Sequence, residues 1–269
     1  MVGLFKENTK IAIDSIRSQA LRTFLTVFII VIGITFLVGI LTLTKALENN
    51  LFGNFASMGA NTFSMSRYDF SAEINQNDVE QKVNPIISYP EAKEFQDKYN
   101  FPFTSTSLSF TAASGVEVKH QGEKTDPEIT ILGVDENFCP NKGLEVTKGR
   151  NFNSFDIDNN NFVCVLGSDF EKGLFKDKNP LDKIISIRGA KFKVIGVLKE
   201  KGSTFGNSQD LRVLIPNQLA RSIFSAPNIN YELNIMANNE GLLDEAVENA
   251  IITMRQVRKL NPVEKNNFG

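Results

Sequence analysis

Residues 23–44 read TFLTVFIIVIGITFLVGILTLT, 22 residues without a charge, bounded by Arg22 and Lys45. A helix of that length reaches roughly 33 Å at about 1.5 Å per residue, which matches a hydrocarbon core of about 30 Å. Its threonines can bond back to helix carbonyls and so be carried into an apolar medium. A buried helix of a soluble core is the competing reading, but its apolar stretch is usually only about 10–14 residues. A cleaved signal peptide would carry a shorter apolar region and a small-residue cleavage site. Here Lys45-Ala46-Leu47-Glu48 follows instead. The run is therefore a retained transmembrane helix over 23–44, with Arg22 and Lys45 at its membrane boundaries. Gly33, Thr35 and Gly39 flatten part of its surface, and Thr35 and Gly39 form a small-xxx-small pair of the kind that lets a second helix approach.

Working outward, residues 1–22 mix apolar and polar residues at broadly helical spacing. They are expected to form an amphipathic helix on the cytoplasmic face. Lys6, Lys10, Arg17 and Arg22 precede the span, and Lys45 alone follows closely. This bias puts the N-terminus in the cytoplasm and residues 45–269 outside. A formal net charge of −2 over 269 residues gives no basic field for nucleic acid.

Beyond the span, helical and strand patterns alternate, and the fold class expected is α+β. Asn61–Ser66 reads as a strand and 68–84 as a polar loop. Ser88-Tyr-Pro-Glu91 reads as a capping box opening a helix with Ala92, Phe95 and Tyr99 on one face, which Pro102 ends. Ser107–Lys119 and Glu128–Val134 read as strands. Residues 140–227 are rich in strands and turns. In them Ile184–Arg188 and Lys191–Val194 form a hairpin about a Gly189-Ala190 type II′ turn, which sets Ile187 opposite Phe192. Tyr231–Ala237 is a last strand, and a helix from Glu240 to about Leu260 carries the stripe Leu243, Ala246, Val247, Ala250, Met254 and Val257. The expected organisation is an αβ part over 45–139 and 228–269, interrupted by a β-rich insert over 140–227.

Chemistry-bearing motifs are few. There is no G-x-x-x-x-G-K-[ST], no H-E-x-x-H and no C-x-x-C. The single histidine, His120, argues against a histidine-based zinc site or a Ser-His-Asp triad. Gly202–Gly206 follows a strand without opening a helix and reads as a loop. Cys139 and Cys164 would sit in a compartment that permits disulfides, and both a bridge and free thiols, buried in the case of Cys164, fit the spacing. The chain is expected to bind no cofactor or metal and to be no enzyme; it would bind or transmit something outside the membrane.

Several short segments then occur in a telling order. They are Ala12-Ile-Asp-Ser-Ile-Arg-Ser-Gln-Ala-Leu-Arg-Thr-Phe-Leu-Thr26, Ile32-Gly-Ile34 and Met58-Gly-Ala-Asn61, followed by Lys148-Gly-Arg-Asn-Phe152, Val165-Leu-Gly167, Leu174-Phe175 and Asn179-Pro-Leu-Asp-Lys183. Phe192-Lys-Val-Ile-Gly-Val-Leu198, Lys201-Gly202 and Val213-Leu-Ile-Pro216 complete the series. In this order the chain resembles the N-terminal part of MacB/FtsX-type ABC transporter permeases, with their MacB-like periplasmic core domain. The resemblance implies a permease truncated before three further membrane helices. It also implies a place in the bacterial inner membrane, a separate ABC ATPase, a second permease copy or half, and a periplasmic adaptor or substrate protein. The mechanism it implies is mechanotransmission of ATP-driven motion to the periplasm for efflux or substrate extraction. A single-span sensor or scaffold is the alternative.

Overall fold

The computed structural model describes residues 6–11, 19–57, 61–68, 84–204, 207–208, 210–224 and 228–269. The chain forms two compact units, residues 1–56 and 57–269.

In the first unit, residues 6–11 are helical (α1). Most of the amphipathic segment expected over 1–22 lies outside the described residues. Helix α2 runs from Ala20 to Ser57. Its membrane-grade portion is Ala20–Ala46, 27 residues, none of it buried against the rest of the protein. The expected 23–44 span sits inside this helix. The helix continues about 11 residues past Ala46, roughly 16 Å at the usual rise per residue.

The second unit is built on one mixed sheet flanked by helices, an α+β fold. Its strands are β1 (Thr62–Met65), β2 (Thr104–Val116), β3 (Val118–His120), β4 (Glu123–Lys124), β5 (Ile129–Val134), β6 (Val146–Gly149), β7 (Val163–Leu166), β8 (Ile184–Ile187), β9 (Ala190–Leu198), β12 (Arg212–Pro216) and β13 (Glu232–Ala237). They lie in the order β1-β13-β2-β5-β12-β7-β9-β8-β3-β4, with β6 added beside β9. β5 with β12 and β7 with β9 are parallel; the other pairs are antiparallel. β10 (Ser203–Thr204) and β11 (Asn207–Ser208) make a small separate hairpin inside the glycine-flanked segment expected to be a loop. Strands from 45–139, 140–227 and 228–269 all share the main sheet. β3, which precedes residue 140, pairs with β8 beyond it.

Period-two alternation sorts the apolar residues onto two faces. Leu108, Ile131, Val213, Ile215, Cys164, Leu166, Phe192, Val194, Leu233 and Ile235 join one cluster. Ala92 and Phe95 of α3 (Tyr89–Lys98), Leu219 and Ala220 of α7 (Asn217–Phe224), and Met254 of α8 (Leu243–Val257) cover that face. Val134, Val165, Leu198 and Leu214 face the other way, onto Phe138 and Cys139 of α4 (Phe138–Asn141) and Ile157 of α5 (Ser154–Asp158). Phe170 of α6 (Asp169–Lys172) joins the first cluster.

Local signals explain several elements. Glu91 accepts hydrogen bonds from the Ser88 N–H at 2.7 Å and the Ser88 hydroxyl at 2.6 Å, which fixes the start of α3. Tyr99 donates its hydroxyl to the Ala246 carbonyl at 3.2 Å, tying α3 to α8. In the β8–β9 hairpin the register differs from expectation. Ile185 pairs with Phe192 and Ile187 with Ala190, so the two-residue loop is Arg188-Gly189. Both loop residues have positive φ, 48° and 88°, as a type I′ turn requires, whereas the type II′ reading placed glycine first. The Arg188 guanidinium lies 5.4 Å from the Phe224 ring centroid, a contact that accompanies its left-handed backbone. The shift is two residues along the pairing, so face assignment survives it: Ile185, Ile187, Phe192 and Val194 are buried, while Lys191 and Lys193 are exposed. The turn segment at 58–60 and most of the 68–84 loop lie outside the described residues.

Candidate functional site

Helix α2 presents an apolar surface on every side of its membrane-grade portion. Its threonines are turned inward on the backbone: Thr26 donates to Arg22 O at 2.9 Å, Thr35 to Val31 O and Thr42 to Val38 O at 2.8 Å, and Thr44 to Ile40 O at 3.0 Å. Each hydroxyl is thus satisfied without water. Arg22 donates to the Gln19 side chain at 3.1 Å at one boundary, and Lys45 stands within the helix at the other. Thr35 and Gly39 line a shallow notch with Ile32, Phe36, Ile40 and Leu43. Gly33 and Gly39 have open space where a Cβ would stand.

In the second unit, among the described residues, no three His, Cys, Asp or Glu side chains gather as a metal site. His120 uses Nδ1 on the Ile184 carbonyl at 2.8 Å and packs its ring 4.7 Å from Phe175. Cys139 and Cys164 are both free and buried, in the clusters on opposite faces of the sheet. The bridge that spacing allowed is therefore not formed: the sheet separates the two thiols. Burial pushes the Cys139 thiol up to about 12 and also raises that of Cys164. Neither can be a thiolate nucleophile near neutral pH.

Three buried polar assemblies stand out that sequence patterning did not pick out. The first is Asp135, just past β5. Its Oδ2 accepts the Leu108 N–H at 2.6 Å and a long contact from Gln96 Nε2 at 3.4 Å, while Oδ1 has no partner. Burial raises its pKa to about 7 against the pull of the Leu108 amide. The second is a polar row across β1, β13 and β2. Ser64 donates to Asn234 Oδ1 at 2.9 Å, and Asn234 Nδ2 donates to Ser109 at 3.0 Å. Asn141 of α4 donates to the Ser105 and Asn234 carbonyls. The third surrounds Arg258 at the end of α8, whose side chain is 2% exposed. In the sequence, Arg255, Arg258 and Lys259 read together as compensation of the helix dipole; only the fold shows the partners of Arg258.

A membrane-grade helix followed in the chain by a mixed αβ domain has the outline of a membrane-anchored domain. The family model described as MacB-like periplasmic core domain matches residues 23–253, and the chain belongs to that family. It is 23% identical over 254 residues to the macrolide export ATP-binding/permease protein MacB of Vibrio parahaemolyticus, covering 94% of this chain and 37% of that protein. It is 25% identical over 279 residues to an uncharacterized ABC transporter permease, YvrN, of Bacillus subtilis, covering 94% of this chain and 66% of that one. The chain thus spans well under half the length of its MacB relatives. Among solved structures, the periplasmic region of MacB from Actinobacillus actinomycetemcomitans aligns with a TM-score of 0.60 at 18% identity, over 80% of this chain and 90% of that one. The extracellular domain of the transporter YknZ from Gram-positive bacteria aligns at 0.55 and 18%, over 77% and 98%. These likenesses concern the fold.

Proposed function

We propose that this chain is a permease component of an ABC transporter of the MacB/FtsX type. Its N-terminus lies in the cytoplasm and its αβ domain outside. It carries motion from a separate ATPase to the outer domain, and it hydrolyses no ATP itself. The observation that carries this reading is the reach of the family match, which begins at Thr23, takes in the whole apolar span and continues through the domain to Thr253. The helix and the domain are thus one inherited unit, and a stiff helix joined to a packed sheet transmits displacement without any catalytic residue. The MacB relatives' printed name brings macrolide export as the class of work to be tested. Gly33, Thr35 and Gly39 are the positions where a neighbouring membrane helix, from a second permease copy or half, would approach closely.

Affinity purification from native membranes tests this, with the tag placed once on residues 1–269 and once on a form that carries three further membrane helices. A P-loop ATPase should copurify with the longer form and not with residues 1–269 alone, and ATP turnover should follow that subunit. A longer form that comes down without an ATPase from mild detergent, or purified chain that itself turns over ATP, would overturn the permease reading. The first outcome would favour a single-span sensor or scaffold.

A further inference from the structure

β1 is the first strand that the chain reaches after α2 ends at Ser57. It has four residues and lies at the edge of the sheet, with β13 as its ladder partner among the described residues. A short edge strand is a weak point in a sheet. Residues 62, 64 and 66 turn their backbone groups away from β13, because 61 and its alternate neighbours serve that ladder (Ala237 donates to Asn61 O at 2.8 Å). At Ser66 the outer side is filled. Ser66 donates to Gly269 O at 2.6 Å, and Gly269 donates back to Ser66 O at 2.9 Å.

The segment 261–269, which delivers Gly269, is itself tied down. Arg255 donates to Asn261 O at 2.7 Å, Glu264 O at 2.9 Å and Asn266 Oδ1 at 2.7 Å. Arg258 donates to Asn267 O at 2.7 Å and Asn267 Oδ1 at 2.8 Å, and to Ile86 O at 2.9 Å. Its Nε stands 3.3 Å from Glu91 Oε1, an ion pair with the carboxylate whose other oxygen caps α3. Phe268 is buried in the main cluster and lies under the Arg258 guanidinium at 5.9 Å. One buried guanidinium thus joins the end of α8, residue 267, the segment leading into α3 and the α3 cap. Only a planar fork of donors reaches so many acceptors at once.

We infer that residues 261–269 form a strap that holds β1 in the sheet, with Arg258 as the positioning residue that seats it. Displacement of α2 then loads the α3–α8 layer through the strap instead of peeling β1 from β13. This mechanical role rests on the transmission reading, whereas the strap itself does not.

Hydrogen exchange of the full chain in lipid nanodiscs tests it. In Arg258→Gln, exchange should rise about tenfold or more at 62–66, 84–87 and 267–269, with β5 and β12 unchanged. Arg258→Lys should not restore it, since one ammonium cannot span the acceptors. Gly269→Pro removes a single donor and leaves Arg258 in place; Ser66 should loosen while 84–87 keeps its protection. Loosening spread evenly over all strands in Arg258→Gln would make Arg258 an ordinary stability residue and overturn the inference. So would unchanged exchange at 62–66 once 267–269 has lost its protection. No ATPase or cargo enters the measurement, so failure of the strap and failure of the permease reading are separate results.

Discussion

Asp135 is the residue at which pH should be felt. Its folded pKa is raised from 3.8 to about 7, chiefly by burial, with Glu136 adding repulsion. Between those values the folded protein holds a proton that the unfolded chain has released. Stability therefore falls as pH rises from about 4 to about 7 and is flat above, by an amount on the order of several kcal/mol. Asp135→Asn keeps the shape, removes the charge and should flatten that pH dependence of the melting temperature between pH 5 and 8. An unchanged slope would mean that other groups set it. Phe192, fully buried between β8 and β7, offers a second measurement at this scale. Phe192→Ala should cost about 3–5 kcal/mol in urea unfolding of the outer domain, the range for a buried aromatic truncated in a packed core. A loss under about 0.5 kcal/mol is what a surface position would give.

At the scale of elements, the β8–β9 turn makes a sharp prediction. Gly189 has φ +88°, with open space within 4 Å of where a methyl group would stand, so Gly189→Ala meets no clash and is opposed only by its left-handed backbone. It should destabilise by about 1–2 kcal/mol, read as a shifted urea midpoint at constant slope. The same hairpin marks how far the sequence could be followed. Alternation told which side chains are buried, because the period of two is insensitive to a shift of two in pairing. It could not choose between Arg188-Gly189 and Gly189-Ala190, since a lone glycine suits either turn and Arg188 at positive φ goes against local preference. Helices α3 and α8 were legible for a related reason: capping signals and a 3.6-residue stripe are local. The 11-stranded order was not, because nothing local in Val118–His120 says that it crosses to pair with β8. Asp135 escaped notice on the same ground, and Arg258 read only as one of three cations at the negative end of a helix dipole. A charged residue at the end of a strand or helix looks solvated until the chain around it closes.

For the molecule as a whole, the proposed orientation is the prediction on which the rest depends. Lys6, Lys10, Arg17 and Arg22 on one side of the span against Lys45 on the other place the N-terminus in the cytoplasm. Both native cysteines are buried and their thiols are held protonated, so they give no background to a maleimide probe under native conditions. Two exposed positions then serve as reporters, Lys6 before the span and Val263 after α8, the latter 95% exposed. A membrane-impermeant maleimide applied to spheroplasts should label Val263→Cys at once and Lys6→Cys only after detergent. Neutralising all four leading cations should produce a mixed population in which each site is partly labelled, because the charge bias sets the sense in which this helix inserts. The reverse pattern in the unaltered protein would put the αβ domain in the cytoplasm. There it could reach no periplasmic partner, and the reading of this chain as a transmitter of ATP-driven motion across the membrane would fall with it.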